Sequence, residues 1–223
     1  MKQIRMASFW LMTVAAAALA GVALAALAGS KHDFTSAGDA TGAGYNQTTE
    51  KCKTCHIPHQ TKQNTPLWGH TLSTATYQLY KDNASYTGGQ GAAYDATTIP
   101  GSTSGACLSC HDGTVASVGS VTLSSTNATA SWLLYEGGAR VAAPAPGGLV
   151  NLKANHPVTV NYTVVQGADT AGYQASPTVV KLEGTPLRVQ CGTCHEAHNK
   201  VTGTKFLHEA NTGSALCLRC HIK

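Results

Sequence analysis

Four Cys-x-x-Cys-His pentapeptides constrain this 223-residue chain more than anything else in it: Cys52–His56, Cys107–His111, Cys191–His195 and Cys217–His221. Together they use all eight cysteines, so none remains for a disulfide or a separate thiolate site. The pentapeptide is the attachment signature of c-type haem. Two thiols add across the porphyrin vinyl groups, and the adjacent histidine gives the iron one axial nitrogen. Zinc knuckles also pair cysteines two apart, but they do not need a histidine fixed directly after the second cysteine, four times over. The residues therefore predict four haem c groups. They are attached through Cys52, Cys55, Cys107, Cys110, Cys191, Cys194, Cys217 and Cys220, with His56, His111, His195 and His221 as proximal ligands.

The start of the chain agrees with haem attachment by thioether, which takes place outside the cytoplasm. Lys2 and Arg5 precede an uncharged Ala-, Leu- and Val-rich run that ends in Ala26-Leu27-Ala28. A positive start, an apolar middle and a small-residue end predict a secretory signal over residues 1–28. The run is also just long enough for an uncleaved membrane anchor. Residues 29–223 then form a single domain, with about 49 residues for each haem. Charged residues make up 12% of the chain and aromatics 6%, and there are 23 glycines. So thin a core must lean on its cofactors, and an apo chain is expected not to fold.

The formal charge of +4 also needs recounting. It falls to +2 without Lys2 and Arg5. Each bis-His haem with ionised propionates adds about −1 when ferric and about −2 when ferrous. The sum is roughly −2 oxidised and −6 reduced, with no basic block, so nucleic-acid binding is excluded.

The motifs fall into two similar pairs. Cys52–His59 and Cys191–His198 both read Cys-x-x-Cys-His-x-x-His, and Ser104–His111 and Ser214–His221 both carry Cys-Leu-x-Cys-His. This suggests an internal two-haem duplication over residues 50–111 and 189–221. Pro157–Val165 alternates apolar and polar residues, which predicts a strand. Short strands are expected at Thr178–Leu182 and Pro186–Gln190, and short helices around each motif and at Ser73–Tyr80. Thr87–Ala93 and Ala142–Gly148 read as loops. The fold expected is a multihaem cytochrome c, mostly loop, with short helices at the motifs and a few short strands around a four-haem array.

Spare histidines decide whether such irons are open or closed. Six lie outside the pentapeptides: His32, His59, His70, His156, His198 and His208. The only methionines are Met1, Met6 and Met12, inside the signal, which removes His/Met ligation from the mature chain. A surplus of histidines is what four bis-His sites require, and such sites pass electrons and bind no substrate. His32, His59, His70 and His156 are the expected distal ligands, His198 is a fifth candidate, and His208 resembles a ligand least. His59 and His198 each follow a proximal histidine by three residues and can serve only a neighbouring haem. The surplus, and the lack of an acid–base cluster, argue against an enzyme.

The order of motifs is more specific than any one of them. His32-Asp33, Cys52–His59, Pro66–His70, Cys107–Val115, His156–Val158, Cys191–His198 and Cys217–His221 together resemble the doubled Cys-x-x-Cys-His multihaem cytochromes, over nearly all of the mature chain. Within that group the chain is similar to the tetrahaem nanowire cytochromes of the outer-membrane cytochrome E type. The resemblance implies a secreted electron carrier that polymerises end to end at the cell surface, with a histidine shared between subunits. Carried over, that inter-subunit ligand is His59. The alternatives are a soluble periplasmic tetrahaem shuttle with a role like that of cytochrome c3 and, in another class, a multihaem reductase with one open haem. Asn46, Asn83, Asn127 and Asn161 begin Asn-x-Ser/Thr sequons, which would permit glycosylation.

Overall fold

The computed structural model describes residues 27–30, 32–35, 51–52, 55–56, 67–69, 72–83, 86, 88–112, 116–118, 121–123, 135–136, 139–140, 149–201 and 203–223. The expected signal over 1–28 lies outside these residues except for its last two, as do His59, His70 and the Ala142–Gly148 loop. Regular structure is sparse. Among the described residues six short strands run in order: β1 (Thr76–Gln78), β2 (Ala116–Val118), β3 (Val121–Leu123), β4 (Tyr135–Glu136), β5 (Ala139–Arg140) and β6 (Leu149–Asn151). The described residues also form three α-helices: α1 (Thr103–His111), α2 (Tyr162–Ala168) and α3 (Cys191–Cys194). Single 3-10 turns occupy Tyr80–Asp82, Gly91–Ala93, Ala96–Thr98, Thr212–Ser214 and Cys217–Arg219. Among the described residues no helix is long and apolar enough to cross a membrane.

The strands pair only in twos. β1 and β6 are parallel, with Thr76 opposite Leu149, Tyr77 opposite Val150 and Gln78 opposite Asn151. β2 pairs antiparallel with β3, and β4 with β5. β1 lies inside Ser73–Tyr80, where a helix was expected. Thr76 and Tyr77 suit an extended pleat, and the Asp82 carboxylate then accepts the Leu79 N–H at 2.8 Å to start a turn.

Two small apolar clusters make the core. Leu79, Ile99, Leu108, Val150 and Leu152 form one, which anchors α1 through Leu108. Ala93, Val160, Tyr162 and Val189 form the other, and Cys220 packs against it. Each cluster therefore supports one Cys-x-x-Cys-His motif directly.

The strand expected over Pro157–Val165 does not form: Thr159 has a left-handed φ of 66°, and only isolated bridges follow it. Val160 bridges Tyr94 and Asn161 bridges Arg188, as an extended segment would. The Asn161 side chain then accepts the backbone N–H groups of Thr163 at 3.1 Å and Val164 at 3.4 Å. That is a helix N-cap, and α2 starts where the alternation would have continued. Val160 and Tyr162 remain buried, while Val164 is exposed. Thr178–Leu182 and Pro186–Gln190 are not strands either. Val179 has a left-handed φ of 72°, which breaks extended pairing. The second segment makes isolated contacts, among them the reciprocal bonds between Arg188 and Glu183 at 2.8 and 2.9 Å.

Candidate haem-binding site

The four motifs share a local geometry. In three of them the histidine N–H bonds back to the first cysteine carbonyl: His56 to Cys52 at 2.9 Å, His195 to Cys191 at 3.0 Å and His221 to Cys217 at 2.9 Å. In the second motif His111 is the last residue of α1. One helical turn thus sets the two thiols a turn apart and leaves the imidazole at its exit. Three of the proximal histidines are also held by a single antiparallel bridge, His56 to Trp68, His195 to Leu207 and His221 to Tyr173.

The motifs support one another. The Ser102 hydroxyl caps α1 by accepting the Gly105 N–H. Thr103 and Ser104 on the first turn of α1 accept the N–H groups of Gly192 and Cys191, both at 2.8 Å. These are N-terminal donors of α3, which its own turn cannot satisfy. Trp68 Nε1 donates to Ser109 Oγ at 3.3 Å and ties the first motif to the second. Tyr162 Oη donates to the Cys220 carbonyl at 3.1 Å, which steadies the fourth. A two-pronged ion pair, Arg219 to Glu209 at 2.6 and 2.7 Å, fixes the loop before it.

Three spare histidines face proximal ones. Ring centroids are 6.1 Å apart for His32 and His111, 6.1 Å for His56 and His198, and 6.5 Å for His156 and His221. Two imidazoles bound to one ion from opposite sides, each at a metal–nitrogen distance of about 2 Å, place their centroids about 6.3 Å apart. Among the described residues His195 has no such ring neighbour.

The hydrogen bonds show which nitrogen is free. His32 Nδ1 bonds the Ala197 carbonyl at 3.1 Å, His156 Nδ1 the Pro157 carbonyl at 3.1 Å, and His198 Nδ1 the Glu196 carboxylate at 2.7 Å. Each acceptor takes a proton from Nδ1, so in a neutral ring the lone pair lies on Nε2. This is the outer-shell arrangement of metal-bound histidines. His208 does the opposite, with Nε2 spent on the Gly192 carbonyl at 2.9 Å. Burial pulls His32 down to about 4, against the raising effect of its bond to Ala197, and burial also lowers His156 and His195. All three are therefore neutral at physiological pH, the form that ligates.

Next to His32, the Asp33 carboxylate is fully buried and bound to Lys51 Nζ at 2.7 Å. It also accepts the Gly29 N–H at 2.8 Å. Burial alone would raise its pKa, but Lys51 and Thr35 hold it down at about 2. The pair fastens the His32 segment to the residue before Cys52.

The surroundings of the thiols differ from one cysteine to the next. Burial pushes Cys55 up to about 12 and Cys110 and Cys194 up to about 11. Cys107 hydrogen-bonds Cys191 and is pushed well up, and Ser104 Oγ lies 3.2 Å from the Cys191 sulfur. Cys191 goes the other way, held down by its hydrogen bond to Cys107. Among the described residues no three His, Cys, Asp or Glu side chains converge on one point. The thiol pairs, the facing imidazoles and the free Nε2 atoms are the donor set that haem c requires.

Of the expected distal ligands, the structure brings His32 and His156 opposite proximal histidines, while His59 and His70 lie outside the described residues. His198, ranked fifth from the sequence, faces His56 of another motif. Sequence reasoning missed Glu196 and the Ala197 carbonyl altogether. Both sit inside the Cys-x-x-Cys-His-x-x-His repeat, which was the available signal.

A family model described as the doubled CXXCH motif matches residues 185–223, which hold the third and fourth pentapeptides. That match is a multihaem c-type cytochrome signal, and the motifs indicate covalently bound haem c. No curated protein matches the chain.

Proposed function

We propose that the protein is a tetrahaem electron carrier whose irons are closed on both sides by imidazole, and that it works as a subunit of a secreted, extracellular cytochrome filament. Bound haem would supply an iron that cycles between ferric and ferrous at low potential. One group would be held by Cys52, Cys55, His56 and His198, and a second by Cys107, Cys110, His111 and His32. The third would be held by Cys191, Cys194 and His195, and the fourth by Cys217, Cys220, His221 and His156. The observation that carries this is the set of three imidazole pairs at 6.1 to 6.5 Å, each with its spare histidine tied through Nδ1. Closed irons leave electrons as the only cargo, so no catalytic activity is assigned.

The thiol contacts support close spacing in chain order. Cys55 is influenced by Cys110, Cys107 bonds Cys191, and Cys194 is influenced by Cys220. A row of this kind suits long-range transport.

The filament rests on His195. Its second ligand is either His59 or His70 of the same chain or a histidine of a second copy, and a polymer requires the last, with His59 as the donor to its neighbour. The test is carbon monoxide binding to the reduced protein as a function of dilution, alongside electron microscopy. A filament subunit forms one CO adduct per chain when dispersed and none when polymerised, and His59→Ala keeps four haems but blocks growth. Dispersed monomers at high concentration that bind no CO would leave a soluble periplasmic shuttle instead. CO binding in every state would point to a reductase.

A further inference from the structure

The three Nδ1 acceptors differ in charge. His32 and His156 each meet a neutral backbone carbonyl at 3.1 Å. His198 meets the Glu196 carboxylate at 2.7 Å, and this side chain is only 12% exposed. A charged acceptor makes the shorter and stronger bond, and the difference reaches the far nitrogen of the ring. A carboxylate drawing on the Nδ1 proton gives the imidazole partial anionic character and makes Nε2 a stronger donor.

We propose that Glu196 is a positioning residue that makes the His56–His198 site the lowest in potential of the three described pairs. This rests on the bis-His haem reading above. The redox step is a single electron passing from an external donor to ferric iron. No bond forms or breaks, and the Nδ1 proton stays between ring and carboxylate. A stronger nitrogen donor and a nearby negative charge both favour the ferric state, so reduction at this site is harder. Hydrogen bonding to axial ligands is one of the protein's established levers on haem potential.

The carboxylate is well placed for the task. Its second oxygen accepts the Lys200 N–H at 3.2 Å, which fixes its orientation and leaves Oε1 for the imidazole. Lys200 Nζ, 3.8 Å away and 62% exposed, offsets little of the charge because water screens it. Arranged this way, the four irons do not share one potential. Of the three described pairs, the site carrying Glu196 is the last to accept an electron and the first to give one up.

The experiment is a spectroelectrochemical titration of the holoprotein and of Glu196→Gln at neutral pH, with four bound haems confirmed in each. Glutamine keeps an oxygen for the Nδ1 proton and removes the charge. The expected result is that one of the four one-electron components becomes easier to reduce by about tenfold in its equilibrium constant, or 59 mV. The other three stay in place and the spectrum remains low-spin. If all four components are unmoved while the spectrum stays low-spin, the tuning role is overturned. His198→Ala separates the two levels of the argument. A new high-spin ferric haem upholds the ligand assignment whatever Glu196→Gln does, and an unchanged low-spin spectrum overturns that assignment and the proposal with it.

Discussion

His198 and His208 lie ten positions apart near one motif, yet their imidazoles are wired in opposite senses. His198 holds a carboxylate through Nδ1, and His208 holds the Gly192 carbonyl through Nε2. Only the first leaves the exposed nitrogen free for a metal. On the proposed tetrahaem reading, His208→Ala should therefore keep the haems low-spin and cost only its structural bond, about 1 kcal/mol. Ferric absorption or EPR spectra, combined with thermal melting, check this. A high-spin signal from His208→Ala would show that the ring turns over and ligates after all. None of this is visible in the sequence, where both residues are unpaired histidines. The pairings that matter join His32 to His111, His56 to His198 and His156 to His221, each across a long stretch of chain. Periodicity and local spacing carry no signal for contacts of that range, whereas the residues expected for attachment and proximal ligation are contiguous, so the sequence alone displays them as motifs.

At the scale of elements, the helical turns are steadied more by their neighbours than by their own propensity. α3 is four residues long and far too short to persist alone. It survives because α1 offers two hydroxyls to its first N–H groups, and that requires the two helices to touch. Gly192 is the point of contact. A Cβ there would meet Thr103 Oγ1 at 2.5 Å, Thr103 Cγ2 at 2.8 Å and Glu183 Oε1 at 2.9 Å. Thr103 cannot swing away freely, because its backbone N–H bonds Glu183 at 3.1 Å and its hydroxyl accepts the Gly192 N–H. Gly192→Ala should cost about 1–3 kcal/mol through overpacking. Gly101→Ala, with nothing within 4 Å, should stay within about 0.5 kcal/mol of the parent. Thermal denaturation of the two holoproteins makes the comparison. The same dependence on neighbours explains what sequence patterns got wrong. Pro157–Val165 alternates as a strand should, but the Asn161 side chain accepts the Thr163 and Val164 N–H groups and caps a helix instead. The helix at Thr103–His111 was legible, since it surrounds a motif.

For the whole molecule, the apolar material on hand is modest. The two clusters are built around Leu79, Ile99, Leu108, Val150 and Leu152 and around Ala93, Val160, Tyr162 and Val189. Full burial of a large side chain contributes about 1.5–3 kcal/mol, whereas ordering the backbone costs about 1–2 kcal/mol for every residue. Among the described residues, segments this irregular cannot balance that cost with so few large buried side chains. Leu67, Leu149, Val179, Leu187, Leu218 and Ile222 are exposed by contrast. Leu67 adjoins Trp68, which bridges His56, and Leu218 lies inside the fourth pentapeptide. At those two positions a flat apolar group bound to the motif would cover what the chain leaves bare. Haem attachment is then a folding event, with ligand binding energy serving as folding energy. Expressed without thioether attachment, the chain should lack a cooperative thermal transition by far-ultraviolet circular dichroism. The four-haem form should melt as one unit. Leu108→Ala in the holoprotein would cost about 2–5 kcal/mol by emptying the core beneath α1. That loss should lower the melting temperature without releasing haem, because the porphyrin is held by covalent bonds that outlast the packing. An apo chain that melted cooperatively near the holo temperature would mean that the polypeptide carries its own fold, with haem seated in a site already formed.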